Sequence, residues 1–200
     1  MRVLVACEFS GVVRRAFRDR GHDAWSCDLL SAEDNSRHHY QCDVREVLCE
    51  GWDQMIAHPP CTDLAVSGAK HFAAKRADGR QQAALDFVQC LLDAPISCIC
   101  LENPVSIVSS VIRKPDQIIQ PWMFGHEVTK TTCLWLKNLP PLKPTQVVGR
   151  GERHVTKGGK SLPKWYNLPP SADRWKIRST TFQGVADAMA DQWGIPEWLR

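Results

Sequence analysis

The sequence lacks any long apolar run. No stretch approaches the roughly 20 apolar residues that a membrane span requires. The apolar part of the N-terminal segment MRVLVACEFSG is also much shorter than the core of a secretory signal. Both absences argue against a membrane-spanning or exported protein, so we expect a soluble protein of the cytoplasm.

The sequence also lacks a strong excess of either charge. Its 25 basic and 22 acidic residues give a formal net charge of +3. This balance neither requires nor excludes a nucleic-acid partner. The 200 residues suffice for one domain with a substantial buried core, and they are too few for a second large domain. We predict a single domain over residues 1–200.

A recognisable pattern of metal ligands is absent as well. The nine cysteines are an odd number and form no CxxC pair, so neither a disulfide framework nor a zinc site is favoured. We expect most of the cysteines to be reduced and buried, and we predict no metal site.

Strand-like and helix-like patterns alternate in the first hundred residues. The apolar run over residues 2–6 predicts a buried strand, residues 11–20 a helix that stops at Gly21, and residues 23–27 a second strand. Further strands are predicted over residues 39–42, 53–57 and 96–101. A helix over residues 81–92 lies between the last two, and a final helix covers residues 182–193.

This alternation predicts an α/β fold with a mostly parallel sheet and helices on both faces. The polar motifs described below directly follow predicted strands. Ligands of open α/β sheets bind outside the carboxyl ends of the strands. The motifs therefore indicate a binding site at that edge.

Residues 142–178 form a basic stretch punctuated by proline and glycine. It is consistent with a solvated irregular loop, and equally with a substrate-contacting loop that attracts phosphate. Trp165, Tyr166 and Trp175 lie among the charges, which favours the second interpretation because bases stack on aromatic rings. The basic residues are Lys143, Arg150, Arg153, Lys157, Lys160, Lys164, Arg174, Lys176 and Arg178, and only Glu152 and Asp173 oppose them.

The strongest local motif is His58-Pro59-Pro60-Cys61-Thr62, which directly follows a predicted strand. The two prolines fix the backbone direction and remove amide donors, so they would present Cys61 rigidly at the strand end. A thiolate there could add to carbon 6 of an aromatic ring such as cytosine. This chemistry requires surroundings that favour the thiolate. A buried, inert cysteine after a proline turn is the alternative.

Glu102-Asn103-Pro104 follows the very apolar strand ISCICL. A carboxylate at such a position is costly to bury without a purpose. It could hydrogen-bond the exocyclic amine of cytosine and share a proton with ring nitrogen 3, which would open carbon 6 to attack. A strand-end acid that caps the next helix through Asn103 is the alternative.

The order of these motifs resembles that of the cytosine-5 methyltransferase family, and the chain is similar to a small, phage-type member. Ala57-His58-Pro59-Pro60-Cys61, followed by Ser67-Gly68, resembles the nucleophile motif, and Glu102-Asn103 resembles the Glu-Asn pair. The resemblance implies a Rossmann-like fold, S-adenosyl-L-methionine as cofactor and methylation of carbon 5 of cytosine. For a phage-encoded chain it implies the cytoplasm of the host cell.

The family's cofactor motifs also have counterparts. Glu8-Phe9-Ser10-Gly11 resembles the turn that lies against the methionine part of the cofactor, Asp28 the acid that binds the ribose, and Asp43-Val44 the pair that holds the adenine. The implied catalytic residues are Cys61 and Glu102. The implied cofactor contacts are Phe9, Ser10, Gly11, Asp28, Asp43, Val44 and Pro59. The implied substrate contacts are Pro60, Ser67, Asn103, Lys130 and Arg178.

The C-terminal half departs from the family pattern. Residues 180–190 resemble the last motif, which completes the cofactor pocket. The arginine-rich motif that grips the base oxygen at position 2 has no clear counterpart; Lys130 is the nearest candidate and Arg178 a remoter one. In the first motif, Val12-Val13 replaces a glycine-rich continuation.

Only residues 142–178 stand where sequence-specific members of the family carry a large target-recognition region. Reading several base pairs and extracting a base from a duplex both need many placed side chains. Two substrates therefore remain open: a free nucleotide such as deoxycytidine monophosphate, or cytosine in DNA that is read with little sequence preference.

Other functions remain open too. A methyltransferase acting on an exocyclic amine also uses a Pro-Pro turn, but its motif ends in an aromatic residue where this chain has Cys61. A folate-dependent methylase or a hydroxymethylase would need a thiol, yet the acid-bearing strand ends match a nucleoside cofactor better. A non-catalytic nucleic-acid-binding module could keep the fold and the basic stretch, although Cys61 and Glu102 are both intact.

Overall fold

The computed structural model describes residues 1–156 and 158–194. Within them, seven strands form one sheet in the order β3-β2-β1-β4-β5-β7-β6. Strands β1 to β5 are parallel, and β7 runs antiparallel to both β5 and β6. The strands are β1 Arg2–Ala6, β2 Asp23–Asp28, β3 His39–Gln41, β4 Gln54–Ala57, β5 Cys98–Pro104, β6 Gln117–Ile119 and β7 Thr132–Lys137. The predicted mostly parallel sheet is confirmed.

Helices cover both faces of this sheet, as predicted. They are α1 Val12–Asp19, α2 Phe72–Ala77, α3 Arg80–Leu92, α4 Val108–Val111, α5 Arg174–Ser179 and α6 Gln183–Trp193. Short 3-10 segments cover Val44–Glu46, Val66–His71, Pro121–Met123 and Lys164–Asn167. The predicted helices over residues 11–20, 81–92 and 182–193 correspond to α1, α3 and α6.

Alternation along the strands divides the core into two layers. Val3 and Val5 of β1 pack in the layer that contains α1 and α6, whereas Leu4 and Ala6 pack in the layer that contains α3. All four side chains are fully buried. A strand buried on both faces reads as a continuous apolar run, and each buried aliphatic side chain contributes roughly 1.5–3 kcal/mol. This double burial makes β1 an interior strand of the sheet, between β2 and β4.

Gly11 makes the tight turn from β1 into α1. Its φ of +70° lies in the left-handed region, and a Cβ added there would lie 2.4 Å from the Arg14 guanidinium. Arg14 is itself buried, where its Nη1 donates to Ser26 Oγ at 2.7 Å and its Nη2 pairs with Asp34. Gly11 thus allows α1 to begin close to the ends of β1 and β2.

The C-terminal half is more regular than the sequence predicted. Strands β6 and β7 were missed, and the basic stretch contains a hairpin of β8 Arg153–Val155 and β9 Ser161–Pro163 before α5. Strands β6, β8 and β9 have three residues each, too few side chains to show a period of two, and the six-residue β7 is buried at four successive positions, so it does not alternate either. Lys157, one of the predicted basic residues, lies outside the described residues.

None of the nine cysteines, all of which lie within the described residues, forms a disulfide. Cys27, Cys100 and Cys133 are buried, whereas Cys49 and Cys90 are exposed. Burial of most cysteines was therefore overestimated. Among the described residues, no group of three or more His, Cys, Asp or Glu side chains is arranged to hold a metal ion. The described helices include none that is long and apolar enough to cross a membrane.

Candidate active site

The carboxyl ends of β1, β4 and β5 lie side by side at one edge of the sheet. Because β1 pairs with both β2 and β4, the connections diverge at this point and open a crevice, which is where open α/β sheets bind ligands. Ala57 of β4 is paired with Leu101 of β5. The residues that follow, His58 and Glu102, are consequently neighbours at this edge.

Glu102 is a sheltered carboxylate. Its side chain is 17% exposed, and its Oε2 lies 3.3 Å from His58 Nδ1. Burial raises the pKa of Glu102, but the hydrogen bond from His58, the charge of Lys130 and the hydroxyl of Thr132 together outweigh burial, so the pKa lies below its ordinary value. Glu102 is therefore ionised at neutral pH.

Cys61 follows the Pro-Pro turn and begins a second turn. Its carbonyl accepts hydrogen bonds from the Leu64 amide at 3.1 Å and the Ala65 amide at 2.9 Å, and the residue is half-buried. Burial, and then the charge of Glu102, raise the pKa of the Cys61 thiol, while the nearby cations Lys130 and Arg178 lower it less. The expected thiolate-favouring surroundings are thus not present, and Cys61 is a neutral thiol at pH 7.

Asn103 fastens the Pro-Pro turn to β5. Its Nδ2 donates to the Pro59 carbonyl at 3.0 Å, and its side chain is buried. The sequence predicted a substrate contact for Asn103; its Nδ2 is engaged within the protein, whereas its Oδ1 has no hydrogen-bond partner among the described residues. In this position it fixes the segment that carries Cys61 relative to Glu102.

Two polar side chains, Lys75 and Gln81, bond the segment that follows Cys61. Lys75 is buried, its Nζ donates to the Thr62 carbonyl, and it lies 3.2 Å from Asp63 Oδ1. Gln81 of α3 donates to the Asp63 carbonyl at 3.2 Å. The segment that carries Cys61 is therefore anchored on both sides: Asn103 bonds Pro59 before Cys61, and Lys75 and Gln81 bond Thr62 and Asp63 after it.

Lys130 lies beside Glu102. Both residues line a cavity of about 20 Å³, together with Thr132 and Phe182. The Lys130 ammonium lies 5.7 Å from the ring centre of Trp165 and 5.8 Å from that of Phe182. These rings hold the cation by a cation–π interaction. Lys130, the nearest candidate for gripping the base, therefore lies beside the predicted catalytic acid.

The short helix α5 brings the basic stretch over the first motif. The Trp175 ring centre lies 5.5 Å from that of Phe9, and Lys176 Nζ lies 3.6 Å from Glu33 Oε1. Arg178, at the end of α5, is close enough to Cys61 for its charge to act on the thiol. Both cationic candidates, Lys130 and Arg178, are thus brought to the same edge as Cys61.

A larger pocket of about 240 Å³ opens beside this edge. It contains three of the predicted cofactor residues, Asp28, Asp43 and Val44. Pro60, which was predicted to contact substrate, lies on its wall instead. The remaining wall residues are Cys7, Leu29, Cys42, Arg45 and Phe87. Carboxylates from the ends of two neighbouring strands therefore face one cavity with apolar walls.

Asp43 has a local structural role within this pocket. Its carboxylate caps the 3-10 segment that begins at Val44, accepting from the Arg45 amide at 3.0 Å, and it forms an ion pair with the Arg45 guanidinium. These hydrogen bonds lower the pKa of Asp43 to about 2. Asp43 therefore stays ionised and fixes the backbone that presents Val44.

Glu8 occupies the start of α1. Its carboxylate accepts from the Val13 amide at 2.7 Å and from the Arg14 amide at 3.2 Å. The exposed amides of a helix N-terminus would otherwise bind an anion such as phosphate. Burial raises the pKa of Glu8 above its ordinary value, although the two amides and His58 oppose this.

The other predicted contacts are more scattered. Phe9 and Ser10 are buried beside α1 and, like Gly11 and Pro59, do not line the larger pocket. Ser67 is exposed on the 3-10 segment Val66–His71. The other predicted contacts lie in the surrounding framework. The predicted residues that lie along this edge are Asp28, Asp43, Val44, Pro60, Cys61, Glu102, Lys130 and Arg178.

Sequence reasoning missed several residues of the site. Phe87 belongs to the apolar face of α3, and no signal in the sequence separates it from core residues. Cys7 lies in the left-handed region with a φ of +58° at the end of β1, which no residue pattern announces. His58 stood within the nucleophile motif, and its predicted neighbour on β4 could have placed it beside Glu102.

No family model and no curated protein matches the chain. Among solved structures, one match is an E. coli prophage protein described as a candidate DNA modification methyltransferase, with a TM-score of 0.50 and 15% identity. The match covers 74% of this chain and 52% of that one, so the chain spans about half the length of the structure it matches. With its sheet order and its helices on both faces, the chain has the Rossmann-like fold of S-adenosylmethionine-dependent methyltransferases.

Proposed function

We propose that the chain is an S-adenosylmethionine-dependent methyltransferase that methylates carbon 5 of cytosine through a covalent adduct with Cys61. One observation carries this proposal. Cys61, on a segment that Asn103 and Lys75 bond to the rest of the fold, and Glu102, within β5, lie at one edge of the sheet beside a pocket with carboxylates. A thiol and an acid so placed are the two groups that cytosine methylation on carbon requires.

The larger pocket fits the nucleoside part of this cofactor. Asp28 supplies a carboxylate at the end of β2 that could accept from ribose hydroxyls, and Val44 and Phe87 supply apolar walls for a purine. Glu8 already satisfies the first amides of α1, so the turn has no place for a pyrophosphate. A cofactor without phosphate matches this turn. When bound, it would supply the methyl group.

Cys61 would begin the reaction by forming a bond from sulfur to carbon 6 of the base. The C5=C6 electron pair then moves to C4–C5, and the C4=N3 pair moves onto nitrogen 3, which takes up a proton. Carbon 5 thereby becomes nucleophilic and can accept the methyl group. Loss of the carbon-5 proton to water re-forms C5=C6 and expels the sulfur as a thiolate, while nitrogen 3 returns its proton to Glu102, which restores the ring.

The protonation states of the free site suit this sequence of steps. Glu102 is ionised and Cys61 is neutral, so a proton leaving the thiol can pass to Glu102 and then to nitrogen 3. The cations Lys130 and Arg178 stabilise the thiolate at that moment, because their charges already lower the pKa of Cys61. Lys130 is also placed to bind the base oxygen at position 2.

DNA is the substrate that we favour. Trp165 of the basic stretch contacts Lys130, which lies beside Glu102. Helix α5 carries Trp175 and Arg178 to the same edge. Aromatic and cationic side chains in alternation suit an unpaired nucleotide and its phosphates. The matched prophage protein is also described as acting on DNA. A free deoxycytidine nucleotide would use fewer of these groups.

Methyl transfer from tritiated S-adenosylmethionine tests the proposal. Single-stranded DNA, duplex DNA and deoxycytidine monophosphate are offered in parallel, and the labelled product is digested and identified. We expect 5-methylcytosine in DNA and none with Cys61→Ser, while calorimetry shows that this variant still binds the cofactor. Label only in the free nucleotide would overturn the choice of substrate.

The same assay separates the competing functions. Methyl groups on the exocyclic nitrogen, or ordinary activity in Cys61→Ser, would contradict the covalent mechanism. Salt-sensitive DNA binding without cofactor binding or transfer would indicate a non-catalytic nucleic-acid-binding module, since phosphate contacts weaken as salt rises.

A further inference from the structure

His58 contacts the sheltered acid Glu102 directly. Its Nδ1 is 3.3 Å from Glu102 Oε2, and its side chain is 9% exposed. Its other ring nitrogen, Nε2, is buried and has no hydrogen-bond partner among the described residues. On the side of β1, Glu8 is close enough for the charge of His58 to act on it. The imidazole is therefore held beside Glu102 by one nitrogen, and its direct contact is with this acid.

We propose that His58 is a positioning residue that orients Glu102 through the contact between its Nδ1 and the carboxylate. This inference rests on the proposed function, because the orientation matters when Glu102 meets nitrogen 3 of the base. Glu102 must be ionised to accept the Cys61 proton and must then hold that proton against the ring. A neighbouring imidazole can bond both states, since Nδ1 donates to the carboxylate in one tautomer and accepts from the carboxyl in the other.

Charged and titratable groups from several elements act on Glu102. Lys130 and Thr132 stabilise the ionised form of Glu102 from the segment before β7 and from β7 itself. The Glu102 charge in turn acts on Cys61, on Cys100 of β5 and on Cys133 of β7, and all three thiols have raised pKa values. These thiols are neutral, so His58 and Lys130 are the cationic or proton-bearing groups that control Glu102.

Glu8 interacts with His58 through charge while it caps α1. Its two oxygens accept the Val13 and Arg14 amides, and it is 5% exposed. Burial raises the pKa of Glu8, and the charge of His58 opposes this. Glu8 is thus a comparison for Glu102, which His58 contacts directly.

Titration of Glu102 tests the coupling without relying on activity. Carbon-13 labelling of glutamate carboxyls gives the midpoint of Glu102 in the full chain, assigned with Glu102→Gln. We expect His58→Ala to raise this midpoint by about one pH unit, because an interaction that favours the ionised form is lost. His58→Gln keeps a donor and should restore part of the shift. An unchanged midpoint in both variants would overturn the proposal.

The kinetic counterpart is the acid limb of the kcat profile for methyl transfer. In His58→Ala this limb should move to higher pH with the Glu102 midpoint, and kcat should fall roughly tenfold or more with KM little changed. Glu8→Gln should move the limb less. A loss of kcat without any movement of the limb would indicate a merely structural role. If the chain transfers no methyl group, the proposed function fails, and the carboxyl titration still decides whether His58 controls Glu102.

Discussion

Lys130 Nζ lies 5.7 Å from the centre of the Trp165 ring, and this contact joins the basic C-terminal stretch to the edge that holds Glu102. The 3-10 segment Lys164–Asn167, which carries Trp165, follows directly on the hairpin of β8 and β9. The Thr131 amide also donates to the Tyr166 hydroxyl at 3.3 Å. Substrate binding by the hairpin would therefore act on the catalytic edge through Lys130.

Replacing Trp165 tests this connection. In Trp165→Leu the cation–π contact, worth about 0.5–1 kcal/mol, is lost, and a stacking platform for a base is lost with it. We expect KM for DNA to rise several-fold, with the affinity for S-adenosylmethionine unchanged. Trp165→Phe keeps an aromatic face and serves as the matched control. Equal loss in both variants would show that the ring face is not what matters.

The reactivity of Cys61 provides a second prediction. Burial and the Glu102 charge raise the pKa of its thiol, so alkylation by iodoacetamide should be slow at pH 7 and accelerate as the pH rises above the ordinary range for cysteine. Glu102→Gln removes a charge that raises the pKa, so alkylation should become faster at a given pH. Lys130→Met removes a cation that lowers it, so alkylation should become slower.

Peptide mass mapping after timed alkylation measures these rates. The exposed thiols Cys49 and Cys90 report any general change in reactivity within the same sample. Their rates should be alike in all variants. Opposite shifts of the Cys61 rate in Glu102→Gln and Lys130→Met are required; shifts in the same direction would show that the charges do not control the thiol.

Lys75 tests whether the anchored nucleophile segment matters for catalysis. Lys75→Met keeps the apolar stem but removes the ammonium that bonds the Thr62 carbonyl and pairs with Asp63. We expect a loss of about 1–3 kcal/mol in the free energy of unfolding, because the Thr62 carbonyl and the Asp63 carboxylate both lose their partner. The value of kcat should fall further than this stability loss explains.

Chemical denaturation and steady-state kinetics check this pair of effects. Lys70→Met, on the exposed 3-10 segment before α2, is a matched control for loss of one positive charge. It should leave the free energy of unfolding within about 0.5 kcal/mol of the parent. A Lys75→Met protein with unchanged kcat would show that the segment after Cys61 needs no such anchor.

The sheet could be predicted from sequence where a strand is buried on both faces or bounded by clear turns. Strand β1 reads as a continuous apolar run, and Gly11 and Gly21 mark the turns around α1, so both elements were placed within two residues. Strand β6 spans three residues, and its pairing depends on contacts with β7 that lie outside any local pattern. Tertiary contacts decided those elements.

The candidate site, too, could be predicted from the sequence only in part. The motifs predicted that Cys61 and Glu102 each follow a strand. In the structure Glu102 lies within β5, which extends to Pro104, and the register of Ala57 with Leu101 places it beside His58. Motifs did not predict that Asn103 would bond Pro59 or that Glu8 would cap α1, because a polar residue's partner depends on the path of the backbone around it. The raised pKa of Cys61 likewise depends on the path of the backbone, which sets the burial of the thiol and its distance from the Glu102 charge.

The most direct test of the central claim is trapping of the Cys61 adduct. A DNA strand that contains 5-fluorocytosine can accept the thiol at carbon 6 and the methyl group at carbon 5, but it has no carbon-5 proton to lose, so the enzyme stays attached. Mass spectrometry of the peptide containing Cys61 should show the methylated base bound to its sulfur, only when S-adenosylmethionine is present. Transfer of methyl groups to ordinary cytosine without any such adduct, or an adduct on another residue, would contradict the account.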